Sequence, residues 1–355
     1  MTVSANIQKL IYFLKAQLLL GFFVLLNGCG QPREIFQLTG QTMGTTYSIK
    51  VIPNSSDIDK NLIKHEVDSI LVLLNNQLST WDPESEISRF NRSNSTDIIP
   101  VSPLFKDVVE SAIQVANETD GAFDITVYDL MRLWGFGPNP KKGLPNIDTI
   151  KSTLAYTGYK QLTVSKNGLA KRNGNVKLDL NALAKGYAVD LVFNYLKING
   201  FNNIFVEIGG EVKCLGKNQY NKRWSIGIEN PSGGHKTDKP FAAIVYTDSN
   251  AIATSGNYRN FVDINGEKLG HTINPKTGFP IQTDILSVTI LSQSCMLSDA
   301  WATGLMAIDF ENGLKKVNEN SSIKAVWILE REDGTRRIAR SEGAKVEDSI
   351  YEIIM

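Results

Sequence analysis

Strand-like and helix-like runs follow one another in this chain without strict strand–helix–strand alternation, and that irregular order constrains its fold most. Thr45 to Pro53 alternates, with Tyr47, Ile49 and Val51 on one face, and predicts a strand. Gln31 to Thr39 supplies a tether and a first strand. Asp57 to Ser79 places Ile58, Leu62, Val67, Leu71 and Leu74 at helical spacing. Trp81 to Asn94 is polar and turn-rich. Ser102 and Pro103 form an N-cap and a first-turn proline for a helix through Val108, Ala112 and Val115. Gly135 to Pro145 predicts a loop, and Leu178 into Asn181 the end of a strand. A helix over Ala182 to Asn199 closes at Gly200. Asn203 to Ile208, Phe241 to Thr247, Ile285 to Leu291 and Ile323 to Leu329 predict strands. Cys295 to Ile308 predicts a helix that Ser298 would cap. The expected class is α+β: one catalytic unit, a mostly antiparallel sheet and flanking helices. It leaves room for a helical lobe before Gly143 and a more strand-rich remainder.

The first residues are set apart from the fold. Lys9 and Lys15 precede an apolar run, Ala16 to Leu26, that is short for a membrane span. It ends in Leu26-Asn27-Gly28-Cys29, which resembles a bacterial lipobox whose cysteine is lipidated; a plain signal peptide or short anchor is the alternative. Export follows from either. The expected division is a signal peptide over 1–28, a tether over 29–38 and one domain over 39–355. Lys plus Arg and Asp plus Glu both number 37, so no general electrostatic pull toward nucleic acid exists. Cys214 and Cys295 lack metal or redox spacing, and buried thiols and a disulfide both stay open.

Two segments carry the chemistry. In Asp299-Ala300-Trp301-Ala302-Thr303 a carboxylate and a hydroxyl share one helical face, two hard oxygen ligands that suit Mg²⁺. Asp179 to Tyr187 runs from a loop into a helix and holds Asp179 and Lys185 at its start. Together they suit a phosphate ester beside a metal. Taken singly, each has a plainer explanation. Asp299 and Thr303 suit a helix cap and a surface hydroxyl, Trp81 and Phe123 core positions, Lys185 a solvated charge and Gly209-Gly210 a turn. His65 and His235 lie among charged residues and predict solvated side chains, which leaves His271 as the histidine of interest.

Further segments group as loops around a ligand: Thr42-Met43-Gly44-Thr45, Ser79-Thr80-Trp81, Gly121-Ala122-Phe123-Asp124, Glu207-Ile208-Gly209-Gly210-Glu211, Thr254-Ser255-Gly256 and His271 to Gly278. In this order, and with Asp179 to Tyr187 and Ser298-Asp299-Ala300, they resemble the ApbE-type FAD:protein FMN transferases from about Gly40 to Leu305. The resemblance implies an enzyme that takes FAD as substrate with Mg²⁺. It would pass the FMN half to a Thr or Ser hydroxyl of an exported acceptor and release AMP. Acceptors would be subunits or domains of membrane redox complexes carrying a short Thr/Ser motif. The resemblance places Met43, Trp81, Ala122, Phe123, Asp124, Asp179, Lys185 and Ile273 against FAD. It makes Asp299, Thr303 and the Ala182 carbonyl metal ligands, and His271 the catalytic histidine. Trp81, Phe123 and Met43 would flank a flavin or adenine ring, and Asp124 and Asp179 would accept hydrogen bonds from its polar groups.

Three other functions compete. One is an FAD pyrophosphatase giving FMN and AMP with water as nucleophile. A second is a non-catalytic flavin-binding lipoprotein. A redox flavoenzyme fits less well, because no Gly-x-Gly-x-x-Gly follows a strand. The expected location is the bacterial envelope, membrane-anchored through Cys29 on the periplasmic face.

Overall fold

The computed structural model describes residues 32–53, 58–231, 239–257, 261–264 and 267–354. Cys29, the segment before it and His235 lie outside the described residues. No helix among the described residues is long and apolar enough to cross a membrane.

A nine-stranded sheet runs through the molecule. Its strands are β1 (Phe36–Thr42), β2 (Thr45–Val51), β5 (Ile204–Ile208), β6 (Glu211–Leu215), β9 (Ala251–Gly256), β12 (Ile285–Ser292), β13 (Lys324–Glu330), β14 (Arg336–Arg340) and β15 (Glu352–Ile354), in that spatial order. Every pairing is antiparallel except β14 with β15. Smaller two-stranded ladders are β3 (Leu162–Ser165) with β4 (Gly168–Lys171), β7 (Trp224–Glu229) with β8 (Phe241–Thr247), and β10 (Phe261–Ile264) with β11 (Glu267–Gly270). The helices are α1 (Lys60–Leu78), α2 (Glu86–Arg92), α3 (Pro103–Glu118), α4 (Tyr128–Leu133), α5 (Ile147–Leu154), α6 (Asn181–Ile198), α7 (Cys295–Met306) and α8 (Phe310–Glu319).

Strand periodicity explains why the sheet is buried on both faces. On β13, Ala325, Trp327 and Leu329 join the core under the helices, while Val326 and Ile328 join a second core under β7 and β8. A strand covered on both sides reads as one apolar run rather than as an alternation. The helix-side core takes Val67 from α1, Phe105 and Val108 from α3, Leu183 and Val189 from α6 and Trp301 from α7. Among the described residues, α1 and α3 therefore share that core with α6, α7 and the sheet and do not form a lobe with a core of its own.

Three local expectations change. The polar stretch after Trp81 contains α2, because Ser85 caps it and Ile87 and Phe90 face the core. Leu178 does not end a strand. Asn91 stands where a neighbouring strand would be: its side-chain nitrogen donates to the Leu178 carbonyl at 2.8 Å and its oxygen accepts from the Leu178 N–H at 2.7 Å. Ser294, not Ser298, caps α7, accepting from the Leu297 N–H.

Lys171 shows a buried charge held by a helix end. Its Nζ donates to the carbonyls of Phe90 and Ser93 at 2.8 Å each, at the C-terminal end of α2. Burial, with a smaller push from Lys177, lowers its pKa from 10.5 to about 8. Between those values the unfolded chain binds more protons than the fold, so this group makes stability rise with pH across that window. Denaturant unfolding of wild type and Lys171→Met should show a stability difference that changes in wild type's favour between pH 8 and 10.5. A difference constant with pH would contradict this assignment.

Candidate functional site

The site forms where α6, α7 and the β5–β6 turn meet. Asp299 sits one turn inside α7 and is only 4% exposed, so it neither caps the helix nor lies on the surface. Its Oδ2 accepts from the Gly186 N–H at 3.2 Å. In α-helical register that N–H is the one facing the Ala182 carbonyl, so the Asp299 carboxylate stands beside that carbonyl. A Cβ on Gly186 would lie 2.3 Å from the Cys295 carbonyl oxygen. Glycine therefore lets the start of α7 approach α6 closely. Thr303, the next turn of α7, shares a 3.1 Å hydrogen bond with the Ser255 hydroxyl on β9.

The position of α7 is fixed from a distance. Asp190 on α6 accepts from the Ser294 hydroxyl at 2.9 Å and the Met296 N–H at 3.0 Å, and pairs with Lys213 at 2.6 Å. Cys214 and Cys295 are both free and buried. Burial pushes the Cys214 thiol up to about 12, which makes it a poor nucleophile.

Lys185, one turn into α6, is not solvated. Its side chain is 30% exposed, and its Nζ lies 2.6 Å from Glu211 Oε1 and 4.0 Å from Asp299 Oδ2. Burial alone would lower its pKa, but Asp299 and Glu211 outweigh that and raise it. Burial raises the pKa of Asp299, opposed by Lys185 and the Gly186 N–H.

A second group adjoins the first. Asp124 accepts through Oδ1 from the Thr126 N–H at 2.8 Å and hydroxyl at 2.6 Å, and through Oδ2 from the Tyr159 N–H at 2.6 Å. The Asp179 N–H donates to the Ile125 carbonyl at 2.7 Å, and the Asp179 carboxylate accepts from the Asn181 N–H at 2.8 Å. Burial raises the pKa of both carboxyls. This group packs on α7, because a Cβ on Gly304 would lie 3.1 Å from Phe123 Cβ. Ala122 precedes Phe123 in the same turn. Phe123 is 2% exposed and belongs to the core, so its ring is not open for stacking, whereas Trp81 is 65% exposed and is not a core residue.

The loop from His271 closes on itself: the Asn274 N–H donates to the Phe279 carbonyl, and the Gly278 N–H to the Asn274 carbonyl, each at 2.8 Å. Ile273 is buried in a small cluster with Leu130, Leu133, Trp134 and Ile150. The His271 and Phe136 rings meet edge-on at 6.3 Å. Lys276 of this loop reaches Gly121, so the loop borders the Phe123 turn. Met43 occupies the β1–β2 turn with Gly44, at φ 49° and 71°, a backbone suited to a two-residue hairpin. The adjoining Thr45 abuts Gly209 and hence the Lys185 stem. Among the described residues, no hydrogen bond ties the Trp81 side chain to this cluster.

The groups near this point are oxygens: the buried Asp299 carboxylate, the Thr303 hydroxyl one turn on along the same helix face, and the Ala182 carbonyl that helical register sets beside the carboxylate. That set fits a hard divalent cation such as Mg²⁺. No group of three or more His, Cys, Asp or Glu side chains gathers among the described residues, so any such site is incomplete without other oxygens. Sequence reading did not assign Glu211 or Ser255. Both lay in segments it singled out, but their partners are 26 and 48 residues away.

The chain as a whole is similar to known proteins. Residues 43–327 match the model of the ApbE family. A Vibrio cholerae protein named FAD:protein FMN transferase is 40% identical over 323 residues, covering 91% of this chain and 96% of that protein. An Escherichia coli K12 protein of the same name is 33% identical, covering 88% and 90% respectively. The solved flavin transferase ApbE from Vibrio cholerae superposes with a TM-score of 0.80 at 38% identity, covering 88% of this chain and 98% of that one. The apo flavinyl transferase ApbE of Pseudomonas stutzeri gives 0.79 at 33% identity, covering 88% and 96%.

Proposed function

The chain belongs to the ApbE family, and as a flavin transferase of that family we propose that it moves the FMN half of FAD, with Mg²⁺, onto a Thr or Ser hydroxyl of an exported partner protein. The observation that carries the finer reading is the buried Asp299 carboxylate beside the Ala182 carbonyl, with Thr303 one turn further along the same face.

In the proposed reaction the acceptor hydroxyl oxygen bonds to the phosphorus of the FMN half. The bond from that phosphorus to the bridging pyrophosphate oxygen breaks, and AMP leaves with that oxygen. Asp299, Thr303 and the Ala182 carbonyl would hold the cation, which when bound offsets charge on the pyrophosphate. His271 takes the proton from the attacking hydroxyl. Asp179, Asp124 and the Ala122–Phe123 backbone would face polar groups of FAD. Exposed Trp81 and the Met43 turn offer faces for a ring, and Ile273 and Lys185 complete the contacts. His271→Ala is expected to lower kcat by about 10²–10⁴-fold. Single-turnover kinetics with purified acceptor checks this; an unchanged rate removes His271 from the chemistry.

We also place the protein at the bacterial envelope, lipidated at Cys29 after removal of residues 1–28, with a tether that ends before β1 and one domain from Phe36 onward, since Phe36 and Leu38 are already paired and buried in the core. Acceptors would be domains or subunits of membrane redox complexes. This rests on the order of basic residues, apolar run and Gly28-Cys29. Cys29→Ser should move the protein out of the membrane fraction; retention there contradicts the anchor. The function is tested by incubating the chain from Gln31 with FAD, Mg²⁺ and an acceptor domain. FMN covalently bound to the acceptor supports transfer; free FMN and AMP with unmodified acceptor would make the enzyme a pyrophosphatase.

A further inference from the structure

Glu211 begins β6 immediately after a tight turn in which Gly209 and Gly210 have φ of 63° and 101°. A Cβ on Gly209 would lie 2.8 Å from Thr45 Cγ2 and 3.1 Å from Lys185 Cδ. The glycine thus leaves room for the Lys185 stem to reach Glu211. One oxygen of Glu211, Oε1, accepts from Lys185 at 2.6 Å. The other, Oε2, is buried and has no hydrogen-bond partner among the described residues, in a residue only 4% exposed.

A buried carboxylate oxygen without a partner is costly, and such groups in folded proteins call for an explanation. Lys185 also lies 4.0 Å from Asp299, so one ammonium serves two buried carboxylates. The trio carries a net charge of −1 when all three are ionised. A divalent cation held by Asp299, Thr303 and the Ala182 carbonyl would offset that charge.

We propose that Glu211 is a second carboxylate of the divalent-cation centre, acting on the cation through its unpartnered oxygen while its other oxygen holds Lys185 off Asp299. The inference rests on the reading of Asp299 as a cation ligand. It assigns a function to the Gly-Gly-Glu turn, whose glycines admit Lys185 and whose glutamate supplies charge. Removing a carboxylate that supports a metal from outside its main ligands weakens metal binding by about 10–100-fold.

The test counts Mn²⁺ bound to the full-length protein in detergent, reading the free ion by EPR, for wild type and four variants. Glu211→Gln should weaken Mn²⁺ binding at least tenfold. Lys185→Met should strengthen it, since a competing positive charge is gone. The decisive comparison is the double variant Lys185→Met/Glu211→Gln against Lys185→Met. If Glu211 acts on the cation, the double variant binds at least tenfold more weakly than Lys185→Met. If Glu211 only anchors Lys185, the two bind alike, and the proposal is overturned. Asp299→Asn separates this from the parent reading. Weak binding there with unchanged binding in Glu211→Gln defeats the Glu211 role alone. Wild-type binding in Asp299→Asn defeats the underlying cation site. Thermal melts of each variant exclude loss of fold as the cause.

Discussion

Asp299→Ala is expected to abolish flavin transfer, with a rate loss of about 10³-fold or more, equivalent to about 4 kcal/mol of transition-state stabilisation. The size follows from position. Asp299 is nearly inaccessible, its pKa is raised by burial, and among the described residues it faces the Gly186 N–H and a lysine at 4.0 Å. A carboxylate so placed is costly to bury and is best explained by a ligand that it serves. Steady-state flavinylation kinetics measures the loss, and circular dichroism establishes that the variant is folded. Folded Asp299→Ala with wild-type turnover would refute Asp299 as a ligand.

Gly186→Ala is expected to damage the fold and the site together. The added Cβ would lie 2.3 Å from the Cys295 oxygen, 2.7 Å from its carbonyl carbon and 2.9 Å from Met296 Cα. All three are backbone atoms at the start of α7, so no side chain can rotate away. Either α7 shifts or α6 does, at a cost of about 3 kcal/mol. The same shift pulls Asp299 from the Gly186 N–H and separates it from the Ala182 carbonyl. Stability and activity should therefore fall together. Urea unfolding and transfer assays on one preparation check this, and a variant as stable and active as wild type would show that the helices are less tightly set than described.

The helical spacing of Asp299 and Thr303, the apolar periods of α1 and α3, the Gly200 stop of α6, and several sheet strands are legible directly in the residues. The errors have physical causes. Ser294 and Ser298 stand one turn apart and both suit an N-cap; Asp190, over a hundred residues away, decides between them by catching the Ser294 hydroxyl and the Met296 N–H. Leu178 has a strand's apolar character, but its partner is the Asn91 side chain, which no periodicity announces. Phe123 and Trp81 share the aromatic character that suits either a core or a ring-binding site, and only tertiary packing sends one inward and the other out. The ion pair of Lys185 with Glu211 needs the β5–β6 turn to form, so neither residue signals the other locally.

The proposed reaction joins FMN to a protein hydroxyl. Mass spectrometry of an acceptor domain incubated with the chain, FAD and Mg²⁺ tests it most directly. The expected product is an acceptor heavier by one FMN less a water, attached through phosphate to a Thr or Ser, with AMP formed in equal amount and no product with Asp299→Ala. An acceptor of unchanged mass while FAD is consumed, or FAD left intact with every acceptor offered, would contradict it.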